Sequence, residues 1–237
     1  QLVNIKPSTV IKPNDIILVI GKPNVLMQVF NAIGKNQGQF PMPFGHNLYL
    51  YLDLYLQSAR SAKKAIQEVK TLNQRLKNQK LIVRVTRPTT VGVMTYIKEG
   101  LKHFPTIKLR IDYSDKGLFK LLREDFRKSD IGMIVLTQEM FKNKQNLATI
   151  MDFKTTIFKL GFENVKSIKN TVVMLNDTNS YEQISSMVFD VASQLKTKTK
   201  IFDLDPIGQE DDKSNLLDHF ENLAKIFNEK IDIVSTD

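Results

Sequence analysis

The chain contains no cysteine among its 237 residues, and this absence removes several kinds of chemistry. No disulfide framework, thiolate metal site or cysteine nucleophile is available. The three histidines, His46, His103 and His219, are far apart in the sequence, and their spacing predicts no metal site. A cysteine-free chain fits a reducing compartment, so we expect a cytoplasmic protein.

Long apolar runs are also missing. None approaches the roughly 18 residues that a membrane-spanning helix needs, so we expect no direct membrane insertion. A role at the inner face of a membrane must then come through a partner or an upstream segment. The chain begins at Gln1 without a secretory signal pattern, and we expect it to be part of a longer protein.

Positive charge is in excess but is not concentrated anywhere. The net charge is +9, yet the lysines are spread along the chain, and neither an arginine-rich tract nor an aromatic RNA-binding signature is present. This distribution favours a solvated basic surface, and we expect no nucleic-acid partner. The hydrophobic content of 42% is enough for a packed core.

Strand and helix patterns alternate along most of the chain, which predicts an α/β fold with a mostly parallel, doubly wound, Rossmann-like sheet covered on both faces. Apolar runs predict the strands, and stripes of apolar residues at helical spacing predict the helices. The predicted strands are 47–54, 81–85, 107–111, 131–136, 171–175, 200–204 and 231–234, and the predicted helices are 58–78, 90–103, 117–128, 147–160, 181–195 and 215–227.

The N-terminal residues predict a small α+β appendage. A polar turn at 12–15 precedes a β-branched strand at 16–20 and a helix at about 24–33. The following stretch is rich in glycine and proline, which favours a linker. We therefore predict an appendage at 1–34, a linker at 35–46 and a Rossmann-like domain at 47–237.

The string VIKPNDIILVIGKPNVLMQVFNAI within the appendage resembles the later part of the TrkA-C module, also called the RCK C-terminal domain. Asn14 stands before Asp15 where that family usually has glycine, and asparagine tolerates the same left-handed turn. The resemblance implies a cytoplasmic regulator of potassium transport that acts with a membrane transport or channel subunit. The partial sheet would expose strand edges, so we also expect a homo-oligomer.

The larger domain resembles the universal stress proteins. The likeness rests on the strand NLYLYLDL ending near Asp53, the helix with Ser58, Ser61 and Ala62, and the closing LLDHFENLAKIFNEKIDIV. It implies that the acid after the first strand contacts a base or ribose and that a glycine-rich loop holds phosphate. The corresponding LTQEMF, residues 136–141, has no glycine, which argues against ATP binding in the family manner.

Polar residues at strand ends are the candidate ligand-binding positions, since ligands of open α/β sheets bind there. Arg87 offers a bidentate anion contact, and Asp53 can accept a ribose hydroxyl. A threonine before a predicted helix is also explained as an N-cap, and Ser180 with Gln183 as a capping box. The candidates are Asp53, Thr86, Arg87, Thr90, Asn176 and Asp177.

These features favour a protein that binds and regulates, with an unknown cofactor for which a nucleotide is the leading candidate. We expect a cytoplasmic regulator of potassium transport rather than an enzyme, because no phosphate-loop, nucleophile-elbow or zinc-protease motif is present. A nucleotide-binding protein of the universal stress type is one alternative. A nucleotide-dependent transferase is the other.

Overall fold

The structure is a computed structural model that describes residues 19–21, 40–41, 44–88, 91–114, 116–142, 144–153, 155–175, 178–203, 220–221, 224 and 230–235. The chain divides into two compact units, Gln1–Gln37 and Gly38–Asp237. Apart from residues 19–21, the expected TrkA-C-like appendage at 1–34 lies outside the described residues.

A five-stranded parallel sheet forms the centre of the second unit. Its order is β3-β2-β1-β4-β5, and each pair of neighbouring strands is parallel. Such pairs require crossover connections, which helices provide here. The α/β class and the doubly wound parallel sheet are therefore confirmed. The strands are β1 (Asn47–Asp53), β2 (Lys80–Thr86), β3 (Ile107–Asp112), β4 (Ile131–Leu136) and β5 (Thr156–Lys159), and the helices are α1 (Ala59–Arg75), α2 (Val91–Leu101), α3 (Leu118–Lys128) and α4 (Lys144–Met151).

A separate three-stranded sheet follows in the same unit. Its strands are β6 (Asn170–Leu175), β7 (Lys198–Asp203) and β8 (Ile231–Ser235), in the order β6-β7-β8, and helix α5 (Thr178–Leu195) connects the first two. Both pairs are parallel. The expectation of one continuous sheet is thus wrong, because the later strands form a second sheet.

The predicted helix over 147–160 is also wrong beyond Met151. The chain turns after this residue and forms β5, Thr156–Lys159. Four residues are too few to show the period of two that marks a strand, and lysines at 154 and 159 interrupt the apolar run. Pairing with β4 determines the structure of this segment rather than its own pattern.

Strand β1 lies at the centre of the core, with both of its faces buried. Leu48, Leu50 and Leu52 are completely buried with residues of α1 and α2. On the opposite face, Tyr49 and Tyr51 pack with residues of α3 and α4. The sequence of β1 is almost continuously apolar, as expected for a strand that is buried on both faces.

The first turn of α1 is fixed by a side-chain cap. Ser58 has extended backbone geometry, and its Oγ accepts a hydrogen bond of 3.1 Å from the Ser61 N–H. Ala62, Ile66 and Val69, at helical spacing, bury one face of the helix against β1. This packing places the N-terminus of α1 directly beyond the carboxyl end of β1.

Gly132 lies inside β4 for a steric reason. A side chain there would collide with the carbonyl oxygen of Gly45 and with the ring of Phe40, which cross the strand closely. Glycine is the residue that permits such an approach of two backbone segments.

The stability of the second unit should depend on Asp190, which lies in α5 and is 8% exposed. Burial raises the pKa of Asp190 to about 7, and the charge of Lys77 opposes this only in part. The folded chain therefore retains a proton that the unfolded chain has lost, so the free energy of unfolding falls as the pH rises from about 4 to about 7. Asp190→Asn should remove this fall and raise the free energy of unfolding above pH 7 by about 1 kcal/mol or more.

Urea unfolding at acidic and alkaline pH measures the effect, with the exposed Asp232→Asn as the matched control. If the free energy of unfolding of Asp190→Asn falls with pH as steeply as that of the parent chain, Asp190 is not the group with the raised pKa.

Candidate functional site

The connections of the first sheet reverse direction at β1. The chain passes from β1 outward to β2 and β3, and then returns to the other side of β1 to form β4 and β5. The loops after β1 and β4 consequently lead away from each other and leave a crevice at the carboxyl ends of these strands. This switch point is where a ligand is expected in a sheet of this order.

Asp53, the last residue of β1, is completely buried and paired with Arg87. The Arg87 Nε donates to Oδ1 at 3.0 Å, and Nη2 donates to Oδ2. Oδ1 also accepts the Tyr55 N–H at 3.1 Å, and the Arg87 guanidinium lies 4.8 Å from the centre of the Tyr55 ring. Both carboxylate oxygens are therefore engaged within the chain.

Arg87 adopts an unusual backbone conformation to make this pair. Its φ is 47°, in the left-handed region, and Pro88 follows. Such a conformation costs on the order of 1–3 kcal/mol in a residue other than glycine and persists where the surrounding structure holds it. The two bonds to Asp53 and the stacking on Tyr55 are the interactions that hold it here.

The structure thus brings two of the predicted site residues together as partners of each other. A ribose can reach the buried Asp53 in the predicted manner only if the pair opens, whereas Arg87 is partly exposed and uses only two of its five N–H donors on Asp53. Thr86 is also completely buried, and its Oγ1 has no hydrogen-bond partner in the described part of the chain. The ligand contacts assigned to these three residues stay predictions.

The remaining candidates are not gathered with them. Thr90, Asn176 and Asp177 lie outside the described residues. The strand before Asn176 is β6, which belongs to the second sheet. The prediction of one sheet placed this strand with β1 and β2, and that expectation is wrong.

A cavity of about 500 Å³ occupies the switch point. One wall is the beginning of α1, and the opposite wall is the segment after β4 together with the end of β5. The lining residues are Ser58, Arg60, Ser61, Lys64, Ala65, Thr137, Gln138, Glu139, Lys142, Leu160, Gly161 and Phe162.

Positive charge dominates this cavity. Arg60, Lys64 and Lys142 line it, whereas Glu139 is its one carboxylate. No acidic residue lies in the first turn of α1. Because a helix N-terminus carries partial positive charge, arginine and lysine there do not stabilise the helix. The helix dipole therefore does not account for these cations at this end of α1.

Gln57 connects the two walls at the base of the crevice. It is 7% exposed, and its Nε2 donates to the Thr137 Oγ1 at 2.7 Å. Its Oε1 has no partner among the described residues. If the amide is turned over, Nε2 becomes the atom without a partner. Either way, one buried polar atom remains available beside the cavity, and such atoms are normally hydrogen-bonded.

Glu139 accepts hydrogen bonds from two hydroxyls that line the cavity, those of Ser61 and Thr137. Its burial opposes ionisation, but hydrogen bonds from its own backbone N–H and from the Ser61 and Thr137 side chains outweigh that effect and lower its pKa. The group is therefore ionised at neutral pH. The cavity thus holds one ionised carboxylate beside the Ser61 and Thr137 hydroxyls.

At the outer rim of the cavity, the Lys64 ammonium group is hydrogen-bonded and the ring of Phe162 is exposed to solvent. Lys64 Nζ donates to the carbonyl oxygen of Gly161 at 3.1 Å and to that of Phe162. These bonds tie α1 to the end of β5. The Phe162 side chain is 83% exposed, and its ring is accessible for stacking against a flat ligand.

Sequence reasoning missed Arg60, Lys64, Lys142 and Phe162 as site residues. For Arg60 and Lys64, the available signal was a cluster of cations without an acid at the beginning of a predicted helix. Phe162 gave no signal because β5 was not predicted, so the end of that strand was not recognised as part of the strand-end edge. The segment 136–141 contains the short 3-10 helix Gln138–Phe141, with Met140 buried, rather than an open phosphate-binding loop.

Within the described residues, no group of His, Asp and Glu side chains could hold a metal ion, and no helix is long and apolar enough to cross a membrane. No protein-family model matches the chain, and no curated protein matches it.

Breaking the Asp53–Arg87 pair should destabilise the first sheet. Arg87→Gly keeps the left-handed backbone available but leaves a fully buried carboxylate unpaired, which should cost about 3 kcal/mol. Asp53→Asn should cost less, because Arg87 is partly exposed and can turn to water. The double variant should lose less free energy of unfolding than the sum of the two single variants, because it no longer contains a buried carboxylate.

Urea unfolding of the three variants measures this coupling, and the exposed Arg123→Ala is the control for loss of a guanidinium. If the losses in free energy of unfolding of the two single variants simply add in the double variant, Asp53 and Arg87 do not stabilise each other.

Proposed function

We propose that the second unit binds a small phosphate-bearing ligand, with a nucleotide as the leading candidate, and that the protein acts as a regulator of potassium transport. The observation that carries the binding proposal is the cationic cavity at the switch point of the first sheet. Three cationic side chains and the N-terminus of α1 line it, one carboxylate opposes them, and the buried amide of Gln57 is bonded to the lining residue Thr137.

The size and rim of the cavity support a nucleotide-sized ligand. About 500 Å³ lies within the range of roughly 300–1,000 Å³ that small-molecule sites occupy. The phosphate would lie among Arg60, Lys142 and the N–H groups of α1. A base would stack on Phe162 at the rim. Side chains, rather than glycine-loop backbone, would then hold the phosphate.

A regulatory role follows from the position of Glu139. A bound phosphate competes with its carboxylate for Ser61 and Thr137, so binding moves Glu139 and with it the short 3-10 helix Gln138–Phe141. The ligand thereby changes the position of a defined segment of the surface. A change of this kind is what a partner protein can sense.

The potassium context is supported by the resemblance of residues 1–34 to the TrkA-C module. That resemblance makes a membrane transport or channel subunit the expected partner and the cytoplasm the expected location. The universal stress type of nucleotide binding is the second candidate, and the sheet order with a cavity between β1 and β4 favours it. In that case Asp53 cannot serve as the base or ribose contact while Arg87 is bound to it.

Calorimetry with ATP, AMP, NAD and cyclic dinucleotides tests the binding proposal. We expect at least one of them to bind, and Arg60→Ala and Lys142→Ala each to weaken it about ten- to a hundredfold, because a charge-assisted bond contributes roughly 1.5–3 kcal/mol. Glu139→Gln should strengthen binding, since it removes a competing negative charge. Lys108→Ala, an equal change of charge on β3 outside the cavity, is the matched control.

Binding that is insensitive to Arg60→Ala and Lys142→Ala but lost in Arg87→Ala would place the ligand at the strand-end residues predicted from sequence instead. Turnover of the bound nucleotide would favour the transferase alternative. Absence of binding by all four ligands contradicts the proposal.

The transport role is tested in cells by rubidium uptake, with the full-length protein carrying the same substitutions. If the cavity transmits the signal, Arg60→Ala with Lys142→Ala should alter uptake, and Lys108→Ala should not. Equal uptake by all variants contradicts a regulatory role of this cavity in potassium transport.

A further inference from the structure

Exposed apolar side chains gather at one edge of the first sheet. Among the described residues of this sheet and its connections, the large apolar side chains that are exposed are Tyr55, Leu56, Val91, Tyr113, Met151 and Phe162. All of them except Met151 come after the carboxyl end of a strand. Single exposed apolar residues are normal on a protein surface, whereas a group of them at one place marks an interaction site.

Four of these side chains belong to three neighbouring loops. Asp53, Thr86 and Asp112, the last residues of β1, β2 and β3, lie opposite one another, so the three strands end at the same level. Adjacent strands are about 4.8 Å apart, which puts the ends of β1 and β3 roughly 10 Å apart. The loops that follow carry the four residues that we call the apolar rim, namely Tyr55, Leu56, Val91 and Tyr113.

The fold uses little of the apolar surface of the rim. Val91 is 84% exposed, Tyr113 is 74% exposed and Tyr55 is 71% exposed. The rim also shares no residue with the cavity at the switch point, which lies on the β1–β4 side of the sheet edge. Neither packing nor the proposed nucleotide site therefore accounts for these side chains.

The rim belongs to a positively charged chain. The net charge is +9, and the exposed Arg60 and Lys63 lie at the beginning of α1, just after the β1 loop. The strand-end carboxylates do not offset these cations, because Asp53 is paired with Arg87 and Asp112 with Arg84. The β3 loop, residues 113–118, contains one aspartate and one lysine and adds no net charge.

We propose that the apolar rim binds an anionic lipid membrane peripherally, with the carboxyl ends of β1, β2 and β3 facing the bilayer. Positive charge draws the chain to an anionic leaflet, and the rim side chains enter the headgroup region. Tyrosine suits this position, since its ring lies at headgroup level while its hydroxyl stays in water. Separate loop tips can each enter a fluid surface, whereas a protein partner would have to match their shape.

This binding goes beyond the proposed nucleotide binding and does not depend on it. It brings the second unit to the surface at which a membrane transport subunit would be found. Lipid phosphates can also approach Arg87, which is partly exposed and lies against the Tyr55 ring.

Sedimentation of the full chain with lipid vesicles tests the proposal. We expect binding to vesicles of phosphatidylcholine and phosphatidylglycerol in equal parts, weaker binding when salt is added, and none to phosphatidylcholine alone. Val91→Ser combined with Tyr113→Ser should weaken binding at least about tenfold, because the two most exposed rim side chains are lost. Circular dichroism and urea unfolding check that this variant is folded. Met151→Ser is the matched control, since Met151 is 68% exposed at the end of α4, which leads to the opposite edge of the sheet.

The chain has no tryptophan, so one introduced tryptophan reports the environment of its own position. With anionic vesicles, the emission of Tyr113→Trp should shift to shorter wavelength and be quenched by brominated lipid. The emission of Met151→Trp should not change.

Three results would each overturn the proposal. The first is that the full chain does not bind anionic vesicles, or binds neutral ones as tightly, which would leave the rim to a protein partner. The second is that Val91→Ser with Tyr113→Ser binds as tightly as the parent chain. The third is that brominated lipid quenches tryptophan equally at positions 113 and 151.

Discussion

Burial of β1 on both faces and along both edges is the constraint on which the first sheet depends. An interior parallel strand needs a neighbour on each side and helices above and below, and here β2, β4 and the four helices meet these needs. Placing β1 in the middle also requires the connections to reverse there. The crevice at its carboxyl end, and hence the cavity, results from the topology that buries the strand.

The same burial explains the unusual residues at the end of β1. Asp53 ends a strand with no access to solvent, so its charge requires a partner inside the protein. Arg87, at the end of the neighbouring β2, supplies that partner at the cost of a left-handed backbone. This pair closes the β1–β2 side of the sheet edge and leaves the β1–β4 side, with Arg60 and Lys142, open to a ligand.

Much of the fold could be predicted from sequence, and less of the site. Apolar runs located most strands within a residue or two, because strands buried on both faces carry their signal in the sequence itself. β5 was missed, since a four-residue strand is specified by its neighbour β4 rather than by its own pattern. That the later strands form a second sheet was equally invisible, because the strand pattern does not encode which strands pair.

The site prediction shows the same limit. Asp53 and Arg87 were correctly recognised as polar groups at strand ends, but their mutual pairing is a tertiary contact over 34 positions. The cavity joins the beginning of α1 to residues almost a hundred positions later, as the bonds of Lys64 to Gly161 and Phe162 show. Residue types can suggest each half of such a site, and only the sheet order brings the halves together.

Hydrogen–deuterium exchange of the intact chain with and without ATP is the most direct measurement of the central claim. A ligand held between α1 and the ends of β4 and β5 should slow exchange in residues 58–64, 137–142 and 160–162, and leave the edge strand β3 unchanged. Slower exchange confined to residues around Arg87, or no change anywhere at saturating ATP, would contradict a nucleotide site at the switch point.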